Sequence, residues 1–251
     1  MGRPLTLPYN QTVERSLAEG VEQMCGRYTL SVRHEVLAEK FGVSGPLPEL
    51  LPSYNVAPGR EVPAVVGEAD GDGGNYGRQM EMLRWGLIPP WADDPAIGYR
   101  MINARAETAP SKPSFRRAFR KRRCLIPADG FYEWKKENGG KQPYHFRLKD
   151  GESFAFAGIW ESWTDPDGGT VRSCAILTTE ANEVVGEVHA RMPVILPPED
   201  HYIWLDPDFE ETEPLAALLV PYPPEALEAY PVSRFVNRPG NDDERCVERV
   251  A

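Results

Sequence analysis

Proline interrupts this chain 25 times in 251 residues, about twice its usual share of roughly 5%. Each proline removes a backbone donor and blocks helix propagation, so a bundle of long helices is excluded. A content of 41% hydrophobic and 26% charged residues is that of a globular chain and argues against disorder. Short β-branched or aromatic runs recur at 62–66, 80–87, 124–126, 131–135, 144–148, 154–160 and 173–178, bounded by Gly, Pro or Asp, as strands are. Asn138-Gly139-Gly140 and Lys149-Asp150-Gly151 are turn signals, predicting a three-stranded antiparallel meander over 131–160. Helices are expected at 32–41, capped by Ser31 and stopped by Gly42, at 114–121, at 181–187, and once or twice after Glu199. The expected fold is α+β: a single domain built on a mostly antiparallel sheet or barrel with peripheral helices.

Residues 1–24 carry Val13, Leu17, Val21 and Met24 at a spacing that suits one short amphipathic helix. No window reaches the roughly 20 apolar residues of a membrane span, and the start lacks a secretory signal's apolar core. A cytoplasmic, monomeric protein without membrane attachment is expected. Cys25, Cys124, Cys174 and Cys246 are far apart, with no C-x-x-C, so neither a disulfide framework nor a metal site is expected; Cys124 and Cys174 suit buried strands. The net charge is -10, but residues 199–251 hold 13 acids and 4 bases, leaving about -1 for the rest. Lys112, Arg116, Arg117, Arg120, Lys121, Arg122 and Arg123 form a run without an acid, either a solvated helix face or a phosphate-binding patch.

Met24-Cys25-Gly26-Arg27 would expose a 1,2-aminothiol if translation began at Met24 and the initiator were removed. An α-amine with pKa near ~8 beside a thiol near ~8.5 suits attack on a carbonyl; the alternative is a small buried Cys in a turn. In Asn103-Ala104-Arg105-Ala106-Glu107, extended backbone would put Asn103, Arg105 and Glu107 on one face, either solvent-facing or lining a cleft. Glu133 sits among the aromatics of Gly130-Phe131-Tyr132-Glu133-Trp134, where desolvation would raise its pKa into a useful range; an ion pair is the alternative. His189 and Arg191 in His189-Ala190-Arg191-Met192-Pro193 share a face if extended. The Tyr54-Asn55-Val56-Ala57-Pro58-Gly59 and Trp85-to-Trp91 loops suit either packing or stacking on unpaired bases.

These segments, in this order between about Met24 and Arg238, closely resemble the SRAP family, the SOS response-associated peptidase or abasic-site processing proteins. The resemblance implies a DNA-damage protein that binds single-stranded DNA and crosslinks itself to abasic sites, needing no cofactor, with lyase and cysteine-type autopeptidase activities proposed for the family. It implies that Cys25 supplies the amine and thiol that form a thiazolidine, that Glu133 is the acid/base, that His189 assists sugar ring opening, and that Asn103 positions the cysteine. Arg27, Arg105 and Arg191 become phosphate binders, and Pro58 and Trp91 hold unpaired bases apart. The basic run is only partly matched and stays outside the implied site.

The domain division expected is an extension over 1–24, the SRAP domain over 25–238 and a polar tail over 239–251. Met24 just before Cys25 points to a later true start; removal by self-cleavage is the other route. The competing readings are an N-terminal-nucleophile amidohydrolase, for which the only Asn-Gly pair is Asn138-Gly139 in a turn, and a non-covalent single-strand binder with a structural cysteine. The acidic last quarter is expected to keep the rear surface off DNA.

Overall fold

The computed structural model describes residues 26–69, 76–137 and 140–250. Cys25, the predicted helix within 1–24 and the Asn138-Gly139 turn lie outside the described residues. The strands are β1 (Tyr28–Leu30), β2 (Ser53–Val56), β3 (Glu61–Ala69), β4 (Tyr76–Trp85), β5 (Asn103–Arg105), β6 (Arg123–Ala128), β7 (Gly130–Glu137), β8 (Gly140–Leu148), β9 (Phe154–Thr164), β10 (Thr170–Glu180), β11 (Arg191–Pro193), β12 (Ile195–Leu196) and β13 (Leu227–Pro231). Each run picked out as a strand falls within one of them, except that β4 ends at Trp85. The helices are short: His34–Phe41, Arg116–Lys121, Glu183–Gly186, His201–Leu205 and Thr212–Ala217. The result is a single α+β domain.

Two sheets form the frame. One is antiparallel, in the order β13-β8-β7-β1-β2. In the other, β4-β3-β6-β9-β10 closes on itself because β10 pairs with both β9 and β4, making a five-stranded barrel with β5 and β11 at its β10 edge and β12 on β9. Closure removes the unpaired edges that such apolar strands would otherwise present. Aromatic rings join the two sheets: Phe131 lies 6.2 Å from Phe156, and Tyr28 lies 5.8 Å from Phe156 and 5.4 Å from Trp85. Pairs of this geometry add about 0.5–1.5 kcal/mol each beyond area burial.

The predicted meander is corrected. β7 and β8 do form a hairpin, from Phe131↔Phe146 to Glu137↔Gly140, but β9 leaves for the barrel and β8 takes β13 as its second neighbour. Phe154 to Ile159 are buried without interruption, so β9 needs cover on both faces along this stretch, which the barrel interior and its outer neighbours supply. Ser31 is also corrected: it caps no helix. Its N–H and hydroxyl both donate to Asp129 at 2.6 and 2.7 Å, and the helix begins at His34 with no side-chain cap. Gly42 does stop that helix, in the left-handed conformation at φ 62°, as glycine readily can.

The far face of the five-stranded sheet is covered by the C-terminal segment: Tyr132, Tyr230, Val232, Val236 and Cys246 form a second buried cluster. The Val250 N–H donates to the Pro231 carbonyl at 3.0 Å, so residues 239–250 lie against the domain. Cys124 and Cys174 are fully buried in strands. Among the described residues no helix is long and apolar enough to cross a membrane.

Candidate functional site

The residues singled out by sequence gather on two sides of the junction between sheet and barrel. On the sheet side, β1 runs antiparallel to β7 with Tyr28↔Phe131 and Thr29↔Gly130 in register, and the Tyr132 N–H donates to the Arg27 carbonyl at 3.1 Å. That register, carried two residues back, sets Gly26 opposite Glu133. Glu133 is 1% exposed, and a Cβ built on Gly26 would meet nothing within 4 Å among the described residues. Gly130 allows this close pairing: a Cβ there would lie 2.2 Å from His145 Nε2 and 2.8 Å from Thr29 Oγ1.

Arg27 is buried rather than presented. Its Nη1 donates to Asn55 Oδ1 at 2.8 Å and to the Val236 carbonyl at 2.9 Å. Asn55, fully buried on β2, donates in turn through Nδ2 to the carbonyls of Val236, Arg238 and Asn241. Asp242 completes the brace. It accepts the Tyr54 and Asn55 N–H groups at 2.6 and 2.9 Å, the Ser53 hydroxyl at 2.8 Å and Arg60 Nη1 at 2.8 Å. Partial burial alone would push the Asp242 carboxyl up, but the hydrogen bonds from Arg60, Ser53 and Tyr54 outweigh it and hold the carboxyl below its ordinary value.

On the barrel side, β5 pairs in parallel with β10, Asn103 opposite Ile176 and Arg105 opposite Thr178. Asn103 and Arg105 therefore share a face, with Arg105 exposed. The predicted third member departs: β5 ends at Arg105, and Glu107 lies in the following turn. There Glu107 meets Arg191 of β11, which donates from Nη1 and Nη2 to the two carboxylate oxygens at 2.5 and 2.9 Å and from Nη2 to the Thr178 carbonyl at 2.6 Å. These hydrogen bonds hold the Glu107 carboxyl below its ordinary value.

His189 precedes β11 rather than extending it, so it shares no strand face with Arg191. Its Nδ1 accepts the Arg191 N–H at 3.1 Å and lies 3.2 Å from the Arg191 carbonyl. An accepting Nδ1 puts the neutral ring's proton on Nε2.

The two sides are tied together at Trp85, whose ring packs on Tyr28 and whose indole N–H donates to the Ile102 carbonyl at 2.9 Å, next to Asn103. The turn carrying Pro58 docks on the same residue, the Gly59 N–H donating to the Trp85 carbonyl at 2.7 Å. Trp91 is 58% exposed although Ile88 and Ala92 on either side are buried. Ile88 N–H donates to Ser173 Oγ, and the Ala92 carbonyl accepts the Trp163 indole N–H. An anchored loop thus holds an indole in solvent, where it can stack on a flat ligand.

The basic run divides. Arg123 is 4% exposed and donates to the carbonyls of Phe119, Trp204 and Phe209; Arg122 pairs with buried Glu161, and Arg120 and Lys121 pair with Glu210. Only Lys112, Arg116 and Arg117 are exposed without an ion-pair partner among the described residues. Sequence reasoning missed the Asn55–Asp242 brace and the Glu107–Arg191 pair, whose members lie 187 and 84 positions apart. Among the described residues no group of three or more His, Cys, Asp or Glu is arranged to hold a metal ion.

A profile of the SOS response associated peptidase (SRAP) family matches residues 24–239. The abasic site processing protein YoqW of Bacillus subtilis (strain 168) is 46% identical over 228 residues, covering 90% of this chain and 99% of that one. The abasic site processing protein HMCES of Gallus gallus is 33% identical over 222 residues, 78% of this chain and 66% of that protein. A crystal structure of a Bacteroides thetaiotaomicron protein superposes with a TM-score of 0.80 at 30% identity, covering 90% of this chain and all of the other.

Proposed function

Since the chain belongs to the SOS response associated peptidase family, we propose that it processes abasic sites in single-stranded DNA by crosslinking itself to them through Cys25. Relatives in this family carry abasic site processing in their names. The observation that carries the reading is the buried carboxylate of Glu133 opposite Gly26. Cys25 is the residue covalently before Gly26, and consecutive Cα atoms are about 3.8 Å apart. A carboxylate in that position can move protons for an amine and a thiol on Cys25.

In the proposed reaction the ring-opened abasic sugar presents an aldehyde. The Cys25 amine adds to it, a C–N bond forms, and water leaves to give a Schiff base. The thiol then adds to the imine carbon, a C–S bond forms, and the thiol proton ends on nitrogen, closing a thiazolidine. Glu133 takes and returns the protons of both steps. His189, with a proton on Nε2, assists the opening of the sugar ring, and Asn103 positions the cysteine backbone. If the thiol is absent the imine stays open to β-elimination, which is the proposed lyase outcome.

Binding is shared among the remaining residues. Arg105, exposed on β5, is the cation best presented to a phosphate. Arg191 reaches one only by sharing Glu107, and Arg27 acts mainly by holding the strand before β1. Pro58 and Trp91 flank the Trp85 junction, where unpaired bases are held apart. The chemistry requires Cys25 to be the first residue, through initiation at Met24 or removal of 1–24 by processing, self-cleavage included. The protein is proposed to act as a monomer at DNA in the cytoplasm.

The test mixes protein beginning at Cys25 with an abasic oligonucleotide and resolves the products on a denaturing gel. A heat-stable shifted band is expected. Cys25→Ala should abolish that band while leaving an imine trappable by borohydride. No covalent band from the Cys25-terminal protein would reduce the reading to non-covalent binding, and a band from protein retaining residues 1–24 would overturn the amine mechanism.

A further inference from the structure

The pair formed by Glu107 and Arg191 stands where the proposed function needs a guanidinium open to a ligand. Register puts Arg191 on the reacting side: it lies opposite Glu180 of β10, two positions from Thr178, and Thr178 lies opposite Arg105 of β5. Residues opposite each other in a ladder share a face, as do residues two apart along a strand. Arg191, Arg105 and Asn103 therefore project from one face. The Arg191 N–H also donates to His189 Nδ1 at 3.1 Å. This edge carries two cations, and Glu107 cancels one of them.

The two partners are held very differently. The Arg191 side chain is 15% exposed and keeps a second hold, from Nη2 to the Thr178 carbonyl at 2.6 Å. Glu107 is 47% exposed in the turn after β5 and touches no other side chain among the described residues. When the pair opens, the carboxylate can swing into water while the guanidinium stays in place. The pair also leaves donors unspent: Arg191 Nε and Thr108 Oγ1 are both buried without a hydrogen-bond partner among the described residues, which is costly. Its choice of partners is selective. Arg105, two residues before Glu107, and Glu180, directly across from Arg191, are exposed and have no ion-pair partner among the described residues. Glu107 passes over the first and Arg191 over the second.

We propose that Glu107 sets the affinity for the strand: its carboxylate occupies Arg191 in the unbound protein as a stand-in for a backbone phosphate, and yields the guanidinium when the strand arrives. Carboxylate and phosphate both take a guanidinium through two parallel N–H bonds, so the seat fits either. Each phosphate that Arg191 takes up releases a carboxylate, and the strand gains only the difference between the two contacts. An undamaged strand is then held weakly and let go, whereas an abasic one is retained by its bond to Cys25. A tight grip on every phosphate would hold the protein on the far more numerous undamaged sites. The exchange deepens the proposed function and rests on it for the strand and for the covalent step.

Glu107→Gln removes the charge at nearly constant shape, and Glu107→Ala removes the acceptor as well. Affinity for an undamaged single-stranded oligonucleotide is measured by fluorescence titration on protein beginning at Cys25, for each variant alone and combined with Arg191→Ala. Glu180→Gln is the control for charge without contact. Either Glu107 substitution should bind the strand roughly fivefold tighter, the upper range for releasing a surface ion pair, and the gain should vanish without Arg191. Glu180→Gln should change affinity by less than about twofold, as a screened exposed charge does. With undamaged strand in excess, Glu107→Gln should crosslink an abasic oligonucleotide more slowly than wild type, because more of it is held elsewhere. Weaker binding by both Glu107 variants would make the carboxylate a support for Arg191 and overturn the exchange. An equal gain from Glu180→Gln, or a gain that survives Arg191→Ala, would reduce the effect to general repulsion and overturn it as well. If the wild type crosslinks nothing while the gain stays coupled to Arg191, the crosslinking reading fails and the exchange stands; crosslinking without a coupled gain keeps that reading and removes the exchange.

Discussion

Arg27 and Arg105 bring the same charge to the two sides of one junction, and the protein treats them in opposite ways. Arg27 is 9% exposed and is held by Asn55 and the Val236 carbonyl, with Asp242 locking β2 behind them. Arg105 ends a three-residue strand and faces solvent. A guanidinium whose donors are taken up internally fixes backbone, whereas one left in water keeps its donors for a ligand. The sheet side is thus built for position and the barrel side for contact. In the proposed reaction, placing a nucleophile beside Glu133 needs the first property, and gripping a phosphate needs the second.

The largest expected effect tests whether chemistry belongs to the rigid side. Glu133→Gln keeps the shape but removes proton transfer, so crosslinking should slow about 10²- to 10⁴-fold while binding of undamaged strand stays within about twofold. Single-turnover gel kinetics and fluorescence titration measure the two separately. If both fell together, Glu133 would be part of the frame and the division between the two sides would collapse.

Next in size, Asp242→Ala removes the acceptor for two backbone N–H groups, a hydroxyl and a guanidinium at once. Losing charge-assisted hydrogen bonds and stranding partly buried donors costs about 2–3 kcal/mol, read by urea unfolding. Crosslinking should fall more than strand affinity does, because β2 braces the chain before β1 and not the β5 edge. Stability within about 0.5 kcal/mol of wild type would show that Asn55 and Arg27 hold β2 without Asp242.

Legibility in the sequence followed the same division. The strands of the barrel and hairpin could be read because alternation and apolar runs are local, and the candidate site residues stand in short contiguous motifs whose ordered set carries the family resemblance. What escaped were relations between distant positions. Nothing beside Asp242 in Pro239-Gly240-Asn241-Asp242 points to β2, which lies 187 residues away in the case of Asn55. Ser31 has the chemistry of a helix cap, but Asp129 competes for both its donors across 98 positions. The Tyr54-to-Gly59 stretch reads as an aromatic, proline-containing loop, yet Ser53–Val56 is β2; its register is imposed by β1 and by Asp242, not by its own alternation.

A smaller effect sharpens the account of the rigid side through pH. His145 lies under Gly130, with Nε2 3.3 Å from Thr29 Oγ1 and Nδ1 3.0 Å from the Tyr230 hydroxyl. Burial, with Arg147 nearby, pushes its pKa down to about 3. Between about pH 6.5 and 3 the unfolded chain binds a proton that the native protein does not. Stability contributed by the neutral ring is therefore complete above about pH 6.5 and is lost as pH falls, by at most about 1.4 kcal/mol per pH unit. His145→Asn should flatten that slope in urea unfolding at pH 5 to 7. A slope unchanged by the substitution would mean that His145 takes its proton in the folded state.

The smallest expected effect falls on the open side. Arg105→Ala removes an exposed side chain with no ion-pair partner among the described residues, so the fold should keep its stability within about 0.5 kcal/mol. Neutralising one phosphate on a single strand contributes about 0.7 to the log-log slope of affinity against salt, and the variant should be shallower by that amount. Arg27→Ala supplies the contrast. It should lower stability, because Asn55 Oδ1 and the Val236 carbonyl lose a charged donor, yet change the slope little, since Nη1 is already turned inward. If instead Arg27→Ala flattened the slope and Arg105→Ala did not, the phosphate would be gripped from the sheet side. The buried guanidinium would then have to exchange its internal partners for DNA, and the assignment of position to one side and contact to the other would be reversed.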